Sequence, residues 1–163
     1  MKIYLDVCCL CRLFDNHSDT RVRLEAEAVL AILKRCSLGW ELVTSSAVLY
    51  EIGLISDPGK RTQALRLIQR ARETIRVDDI LLSRAEEFEN LGVMGMDAVH
   101  IACTEKAGAV LLTTDDDLVK IMVDYDLRLM GLEPIGEGMA ISRGKSFTWT
   151  DHDYSFYARC GDR

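Results

Sequence analysis

The chain has 163 residues, of which 48% are hydrophobic and 28% are charged, and its formal net charge is −6. This length suits one domain with a core of its own, and the acidic balance does not indicate the basic surface typical of non-specific nucleic-acid binding. No stretch approaches the roughly 20 apolar residues of a membrane span, so we expect no membrane contact. Lys2 and Asp6 interrupt any apolar signal segment, and we therefore expect a cytoplasmic protein.

The first predicted element is a strand at residues 3–5. Ile3, Tyr4 and Leu5 form a short apolar run without alternation, which is typical of a strand buried on both faces of a parallel sheet. Asp6 follows at once and would stand at the carboxyl end of this strand. Ligands and chemistry collect at that edge of open α/β sheets, so Asp6 is the first candidate functional residue.

Helical and strand patterns alternate along the rest of the chain. We predict helices at residues 7–14, 20–38, 47–55, 61–73, 81–91, 96–108 and 118–123, and further strands at 40–44, 75–77, 109–113 and 127–132. Ser45 or Ser46 would cap the helix that begins at residue 47, and the segment 57–59 reads as a turn. The alternation predicts a single α/β domain with a central parallel sheet of four or five strands flanked by helices.

Two segments carry more specific expectations. The helix at 20–38 is expected to turn an apolar stripe inward, with Leu24 and Leu38 included in it. From Gly136 onward the composition changes and no period is sustained, so we separate a domain at residues 1–134 from an extension at 135–163 of unknown role.

Four acidic residues fall where this fold would bring them together. Asp6 and Asp115 follow buried strands, Glu51 lies inside the helix after the second strand, and Asp97 begins the helix before the strand at 109–113. Each alone has an ordinary explanation as a cap, a turn residue or a solvated helix position. Together they would repel one another unless a hard divalent cation such as Mg²⁺ or Mn²⁺ bound between them.

The chain resembles PIN-domain ribonucleases of the VapC toxin type over about residues 1–134. The resemblance lies in four segments in order: IYLD at 3–6, SAVLYEI at 46–52, DAVHIA at 97–102 and LTTDDDL at 112–118. It implies an endoribonuclease that depends on Mg²⁺ or Mn²⁺, with RNA as substrate, a small antitoxin as partner and homodimerisation. It also implies that residues 1–134 form the nuclease domain.

The resemblance also assigns roles residue by residue. Asp6 and Asp97 would be the main metal ligands, Glu51 would complete the pocket or position the water, and Asp115 would be a further ligand with Asp117 in reserve. Two bound ions would then share the work of activating water and stabilising the leaving oxygen.

Four other residues are further candidates for the site. Arg12 and Arg21 are candidates for gripping the RNA backbone, although salt bridges to nearby glutamates would explain Arg21 equally. Thr113 is a candidate substrate-site residue that could hydrogen-bond a neighbouring carboxylate or simply satisfy backbone. His100, one turn after Asp97, would contact RNA or a carboxylate, with a satisfied helix histidine as the preferred explanation.

The cysteines suggest a different activity. Cys8 and Cys11 form a C-x-x-C after a strand, as in thiol oxidoreductases, but the intervening residues lack the usual Gly-Pro and this reading leaves the acids unexplained. We therefore favour reduced, packed thiols here. A further alternative is a catalytically silent binding module of the same fold that acts only through a partner.

Overall fold

Four short strands form one parallel sheet: β1 (Lys2–Leu5), β2 (Glu41–Ser45), β3 (Glu73–Ile75) and β4 (Val110–Leu112). Their order is β3-β2-β1-β4, and all three pairings are parallel. The first strand of the chain is thus an inner strand between β2 and β4. The predicted fold class, an α/β domain with a four-stranded parallel sheet, is confirmed.

The structure, a computed structural model, describes residues 1–121 in full and the backbone of 122–124, 132–135, 139–142, 145–148 and 157–160. Seven helices are found within residues 1–124: α1 (Val7–Arg12), α2 (Thr20–Ser37), α3 (Ser46–Leu54), α4 (Pro58–Ile68), α5 (Asp79–Glu89), α6 (Met96–Ala107) and α7 (Asp116–Asp124). Among the described residues, no helix is long and apolar enough to cross a bilayer.

The core forms around β1. Ile3, Tyr4 and Leu5 are each at most 1% exposed, because helices cover both faces of an inner parallel strand. Side chains alternate between the faces of a strand, so Tyr4 lies on the opposite face from Ile3 and Leu5. The amide of Asp6 donates to the Leu112 carbonyl at 3.0 Å, which extends the β1–β4 pairing by one residue and fixes the position of the strand end.

Helix ends follow local capping chemistry. Ser45 is the cap of α3, since its Oγ accepts from the Val48 amide at 3.2 Å, which settles the choice between Ser45 and Ser46. Gly108 ends α6 in the left-handed conformation at φ 62°, which glycine adopts without steric cost.

The bounds predicted for the fourth helix and for the third strand were both wrong. The strand was predicted at 75–77, but β3 spans Glu73–Ile75. The helix was predicted at 61–73, but α4 begins at Pro58 and ends at Ile68. Asp57 caps it by accepting from the amides of Gly59 and Lys60, and proline suits the first helical position because its missing N–H would be unpaired there anyway. The residues assigned to the last turn of the helix are instead the link to β3 and its start at Glu73.

The inward face of α2 also differs from the prediction. Leu24 and Leu38, expected to be inward, are 44% and 74% exposed, whereas Glu25 is only 8% exposed. The carboxylate of Glu25 accepts from Arg12 Nε at 2.5 Å and from Arg21 Nε at 2.7 Å, so its charge is paired where it is buried. Apolar spacing alone predicts that Leu24 faces inward. The buried residue is instead its neighbour Glu25, whose charge is paired.

Four more strands are found after residue 131: β5 (Leu132–Ile135), β6 (Met139–Ser142), β7 (Lys145–Thr148) and β8 (Tyr157–Cys160). They form two antiparallel pairs, β5-β6 and β7-β8. The strand predicted at 127–132 lies outside the described residues except at its last position. The expected division between residues 134 and 135 falls inside β5.

Because Glu25 is buried between two guanidinium groups, removing its charge should destabilise the domain. We expect Glu25→Gln to lower the free energy of unfolding by about 1–3 kcal/mol, the cost of leaving partly buried charged donors without their partner. The measurement is urea unfolding followed by circular dichroism. The matched control is Glu27→Gln, whose partner Arg23 is half exposed and which should cost less than about 1 kcal/mol. Equal losses in the two variants would contradict this account of Glu25.

Candidate metal centre

Asp6 lies at the carboxyl end of β1 and is 7% exposed. Its Oδ1 accepts from the Val7 amide at 2.6 Å, and its Oδ2 accepts from the Thr113 hydroxyl at 2.8 Å and the Cys8 thiol at 3.0 Å. The Val7 bond also makes Asp6 the cap of α1. A buried carboxylate held at both oxygens has a fixed orientation, which a metal ligand requires.

Thr113 and Asp115 follow β4, directly beside Asp6. The Thr113 side chain is fully buried, and its Oγ1 also accepts from the Asp115 amide at 3.1 Å. Both of the explanations considered for Thr113 from sequence, a bond to a carboxylate and a bond to backbone, are therefore present. Asp115 is exposed, and its Oδ1 accepts from the amides of Asp117 and Leu118 at the start of α7.

Glu51 and His100 enter from α3 and α6. His100 Nε2 lies 2.6 Å from Glu51 Oε2 and 3.8 Å from Asp6 Oδ1. On its other side, His100 Nδ1 is 2.8 Å from the Tyr4 hydroxyl, which in turn is 2.6 Å from Ser45 Oγ. Burial lowers the pKa of His100, but the hydrogen bond to Glu51 and the charges of Asp6, Glu51 and Asp97 outweigh it and raise the pKa overall.

Asp97 lies in the first turn of α6, as predicted, and is half-buried. Burial, followed by the charges of Asp6 and Asp115, raises the pKa of Asp97 to about 6, and Glu51 contributes in the same direction. Repulsion of this kind requires the four carboxylates to be near one another. Asp6, Asp115 and Glu51 therefore lie near enough to Asp97 for their charges to raise its pKa.

The donor set fits a divalent cation. One ligand atom each from Asp6, Glu51 and His100 lies within 4.8 Å of the others, and Asp97 adds a carboxylate with a raised proton affinity. Mutually repelling carboxylates gain most from a cation placed between them, and oxygen ligands suit Mg²⁺ and Mn²⁺.

Three other predicted site residues are held elsewhere. Asp117 has an 87% exposed side chain and pairs with Lys120 at 3.1 Å. Arg12 is bound by Glu25 and by Asp15, whose other oxygen pairs with Lys60. Arg21 joins Glu25 to Asp116, donating to both Asp116 oxygens at 2.8 and 2.5 Å. The salt bridge expected from the sequence for Arg21 is therefore present.

The thiols near the site are hydrogen-bonded and packed. The Cys8 sulfur lies 3.3 Å from Thr113 Oγ1 and accepts from the Thr114 amide at 3.2 Å, besides its bond to Asp6. Burial raises the pKa of Cys11, whereas a thiol oxidoreductase needs a lowered one. Cys9 is fully buried and its thiol donates to the Leu112 carbonyl at 3.3 Å, so the contacts of these thiols favour the packing interpretation over the C-x-x-C enzyme.

Tyr4 and Ser45 were not predicted as parts of the site, and His100 was predicted to be a satisfied helix histidine rather than a site residue. One signal was available for Tyr4: it has the same parity as Asp6 along β1, so both side chains are directed to the same side of the sheet. The Asp97–His100 spacing of one helical turn likewise places both side chains on one face of α6.

A protein-family model described as "PIN domain" matches residues 3–123. A comparison with curated proteins found no match. Among solved structures, the chain is similar to one described as the crystal structure of VapBC2 from Rickettsia felis bound to a DNA fragment from their promoter. That match has a TM-score of 0.53 and 15% sequence identity, and it covers 74% of this chain and 93% of the other. At this identity the likeness shows the fold.

The raised pKa of Asp97 predicts a particular pH dependence of stability. The native state holds this proton more tightly than the unfolded state, so Asp97 costs stability progressively as pH rises from its ordinary pKa of 3.8 to about 6. With EDTA present, we expect Asp97→Asn to be more stable than the parent chain near neutral pH, and the difference to vanish below the ordinary carboxyl pKa. Urea unfolding across this pH range measures it. A difference that does not change with pH would contradict the prediction.

Proposed function

Because the chain belongs to the PIN domain family, whose model matches residues 3–123, we propose that it is a metal-dependent endoribonuclease that hydrolyses RNA phosphodiesters as the toxin of a toxin–antitoxin pair. The observation that carries the proposal is the meeting of Asp6, Glu51, Asp97 and Asp115 at the carboxyl edge of the sheet. Burial raises the pKa of Asp97 most, and the charges of Asp6, Asp115 and Glu51 raise it further, which supports this meeting.

The proposed cofactor is Mg²⁺ or Mn²⁺, held by Asp6, Glu51 and Asp97, with Asp115 as a further ligand. When bound, such an ion activates water and stabilises negative charge on a phosphodiester. The carboxylates themselves repel a phosphate, and the chain carries a formal net charge of −6, so RNA needs a cation to approach this edge. Asp117 stays a reserve ligand, although it now pairs with Lys120.

The chain's own residues supply the orientation. Thr113 and the Val7 amide each bind one oxygen of Asp6, so this carboxylate cannot rotate away from the site. Thr113 is fully buried, so we propose that it acts through Asp6 rather than by touching RNA. Asp115 is exposed, and its Oδ1 already caps α7.

We propose that Arg12 and Arg21 contact the RNA backbone. Arg21 is the better placed of the two, because its side chain is 49% exposed against 28% for Arg12. A phosphate would take the place of Asp116 on the outer edge of the Arg21 guanidinium, while Glu25 keeps the inner edge.

The proposed protein partners are a cognate antitoxin and a second copy of the chain. The structural neighbour is a VapBC2 complex, which supports an antitoxin-like partner. On α3, Tyr50 and Leu54 are 62% and 66% exposed and lie one helical turn apart, which supports a protein-covered surface. Because the proposed substrate is RNA, we also propose that the protein acts in the cytoplasm. Residues 1–134 would form the nuclease domain and 135–163 an extension.

The proposal is tested by incubating the purified protein with an RNA pool. We expect cleavage with Mg²⁺ or Mn²⁺, none with excess EDTA, and recovery when the metal is restored. Asp6→Asn should lower the rate at least about 100-fold, because it removes a ligand charge while keeping the shape of the side chain. The matched control is Asp79→Asn, which removes an exposed aspartate in the first turn of α5 and should retain most of the activity.

Two results would contradict the proposal. Cleavage that survives both EDTA and Asp6→Asn would exclude a metal mechanism at this site. Tight metal binding without cleavage of any RNA would favour the catalytically silent module, in which the same fold acts only through a partner. Circular dichroism of each variant separates loss of activity from loss of folding.

A further inference from the structure

We propose that His100 is a direct ligand of the metal ion, and that this nitrogen makes the site prefer Mn²⁺ over Mg²⁺. The role of His100 concerns the metal site of the proposed function and therefore rests on that proposal. It adds a ligand of a different chemical type from the carboxylates, and with it a preference between the two ions.

The separations of the candidate ligand atoms fit a single ion. Octahedral ligands at bond lengths of about 2.1 Å lie about 3 Å apart when adjacent and about 4.2 Å apart when opposite. His100 Nε2 is 2.6 Å from Glu51 Oε2 and 3.8 Å from Asp6 Oδ1, and all three atoms lie within 4.8 Å of one another. Small side-chain rotations would therefore bring them onto one ion.

The imidazole is already held in the orientation that a ligand needs. His100 is 1% exposed, and its Nδ1 lies 2.8 Å from the hydroxyl of Tyr4. The Tyr4 hydroxyl can donate to Ser45 Oγ at 2.6 Å, which leaves its own oxygen to accept from His100 Nδ1–H. When a metal ion replaces the proton between Nε2 and Glu51, that tautomer directs the Nε2 lone pair at the ion, and a partner on the second ring nitrogen is typical of metal-binding histidines.

The position of Nε2 between two acids points to a cation rather than to packing alone. Nε2 is the ring nitrogen directed at the carboxylates, and without a metal ion its 2.6 Å contact with Glu51 is a hydrogen bond, with one proton between the two atoms. A divalent cation is a stronger occupant of the same position, because it also neutralises Asp6.

The ligand set then determines which ion is preferred. Mg²⁺ is a hard ion that favours oxygen and keeps several waters. Mn²⁺ also binds carboxylates, but as a first-row transition ion it accepts an imidazole nitrogen more readily than Mg²⁺ does. Replacing one oxygen ligand by the His100 nitrogen should therefore weaken the site for Mg²⁺ relative to Mn²⁺. A site made only of Asp6, Glu51 and Asp97 would show a smaller difference.

The test is pulsed electron paramagnetic resonance on the full chain loaded with one equivalent of Mn²⁺. A coordinated imidazole gives a nitrogen hyperfine coupling, which should change in a predictable way when histidine is labelled with ¹⁵N. We expect this coupling in the parent chain and its loss in His100→Gln. Calorimetry should show Mn²⁺ affinity falling at least about 10-fold in His100→Gln, and Mg²⁺ affinity changing much less.

Two variants serve as controls. His17→Gln changes an exposed histidine whose Nε2 contacts only the Arg12 carbonyl among the described atoms, and it should keep both the coupling and the affinity. Tyr4→Phe keeps the imidazole but removes its orienting bond, so the coupling should remain while Mn²⁺ affinity falls about 10-fold. If His100→Gln does not fold, the isotope change in the parent chain still shows that a histidine binds the ion, and coupling that persists in both His17→Gln and His152→Gln assigns it to His100.

The outcomes separate this inference from the nuclease proposal. Bound Mn²⁺ without nitrogen coupling, or coupling that persists in His100→Gln, would overturn the role of His100 and leave metal-dependent cleavage standing. Coupling in a protein that cleaves no RNA would support the ligand and contradict the nuclease. Failure of Mn²⁺ to bind at all would overturn both.

Discussion

The carboxylate of Asp6 is the constraint on which the site depends. It stands at the end of an inner parallel strand, and both of its oxygens are bound by groups that the fold places there. A nearly buried charge of this kind is costly unless it is paired or used, and the hydrogen bonds reduce that cost without supplying a counter-charge. Glu51, Asp97 and Asp115 add further negative charge, and the pKa of Asp97 is raised by its burial and then by the charges of these neighbours.

Around Asp6, core packing and site geometry are provided by the same residues. Tyr4 is fully buried in β1, yet its hydroxyl binds both Ser45 and His100. The sheet therefore fixes the imidazole, the imidazole contacts Glu51, and the position of α6 sets where Asp97 lies. A change in strand register would move Tyr4 and Asp6 together, since they share one side of the sheet.

The parts of the fold that repeat a local pattern were predictable from the sequence. The inner strand before Asp6, the cap at Ser45, the first turn at Asp97 and the stop at Gly108 all follow from neighbouring residues. The four acids could be placed at one edge because parallel strands end together. Which residues of α2 are buried could not be predicted from the sequence. The burial of Glu25 depends on Arg12 and Arg21, and Arg12 lies on another helix.

Most of the site contacts that could not be predicted from the sequence are long-range. Tyr4 and His100 are 96 positions apart, and no local period reports a hydrogen bond over that separation. The start of α4 was missed for a different reason: Asp57-Pro58-Gly59 serves equally well as a turn or as a cap with proline in the first helical position. The proposed roles of Arg12 and Arg21 require bound RNA, whereas in this structure their partners are carboxylates.

The central claim is that the sheet edge at Asp6 binds a divalent metal ion through residues brought together by the fold. The most direct measurement is a crystal structure of the chain soaked in Mn²⁺, with anomalous diffraction used to locate the ion. The account predicts at least one strong anomalous peak within about 2.5 Å of carboxylate oxygens of Asp6 and Glu51. A fully soaked crystal with no peak at this edge, or with peaks only elsewhere on the surface, would contradict it.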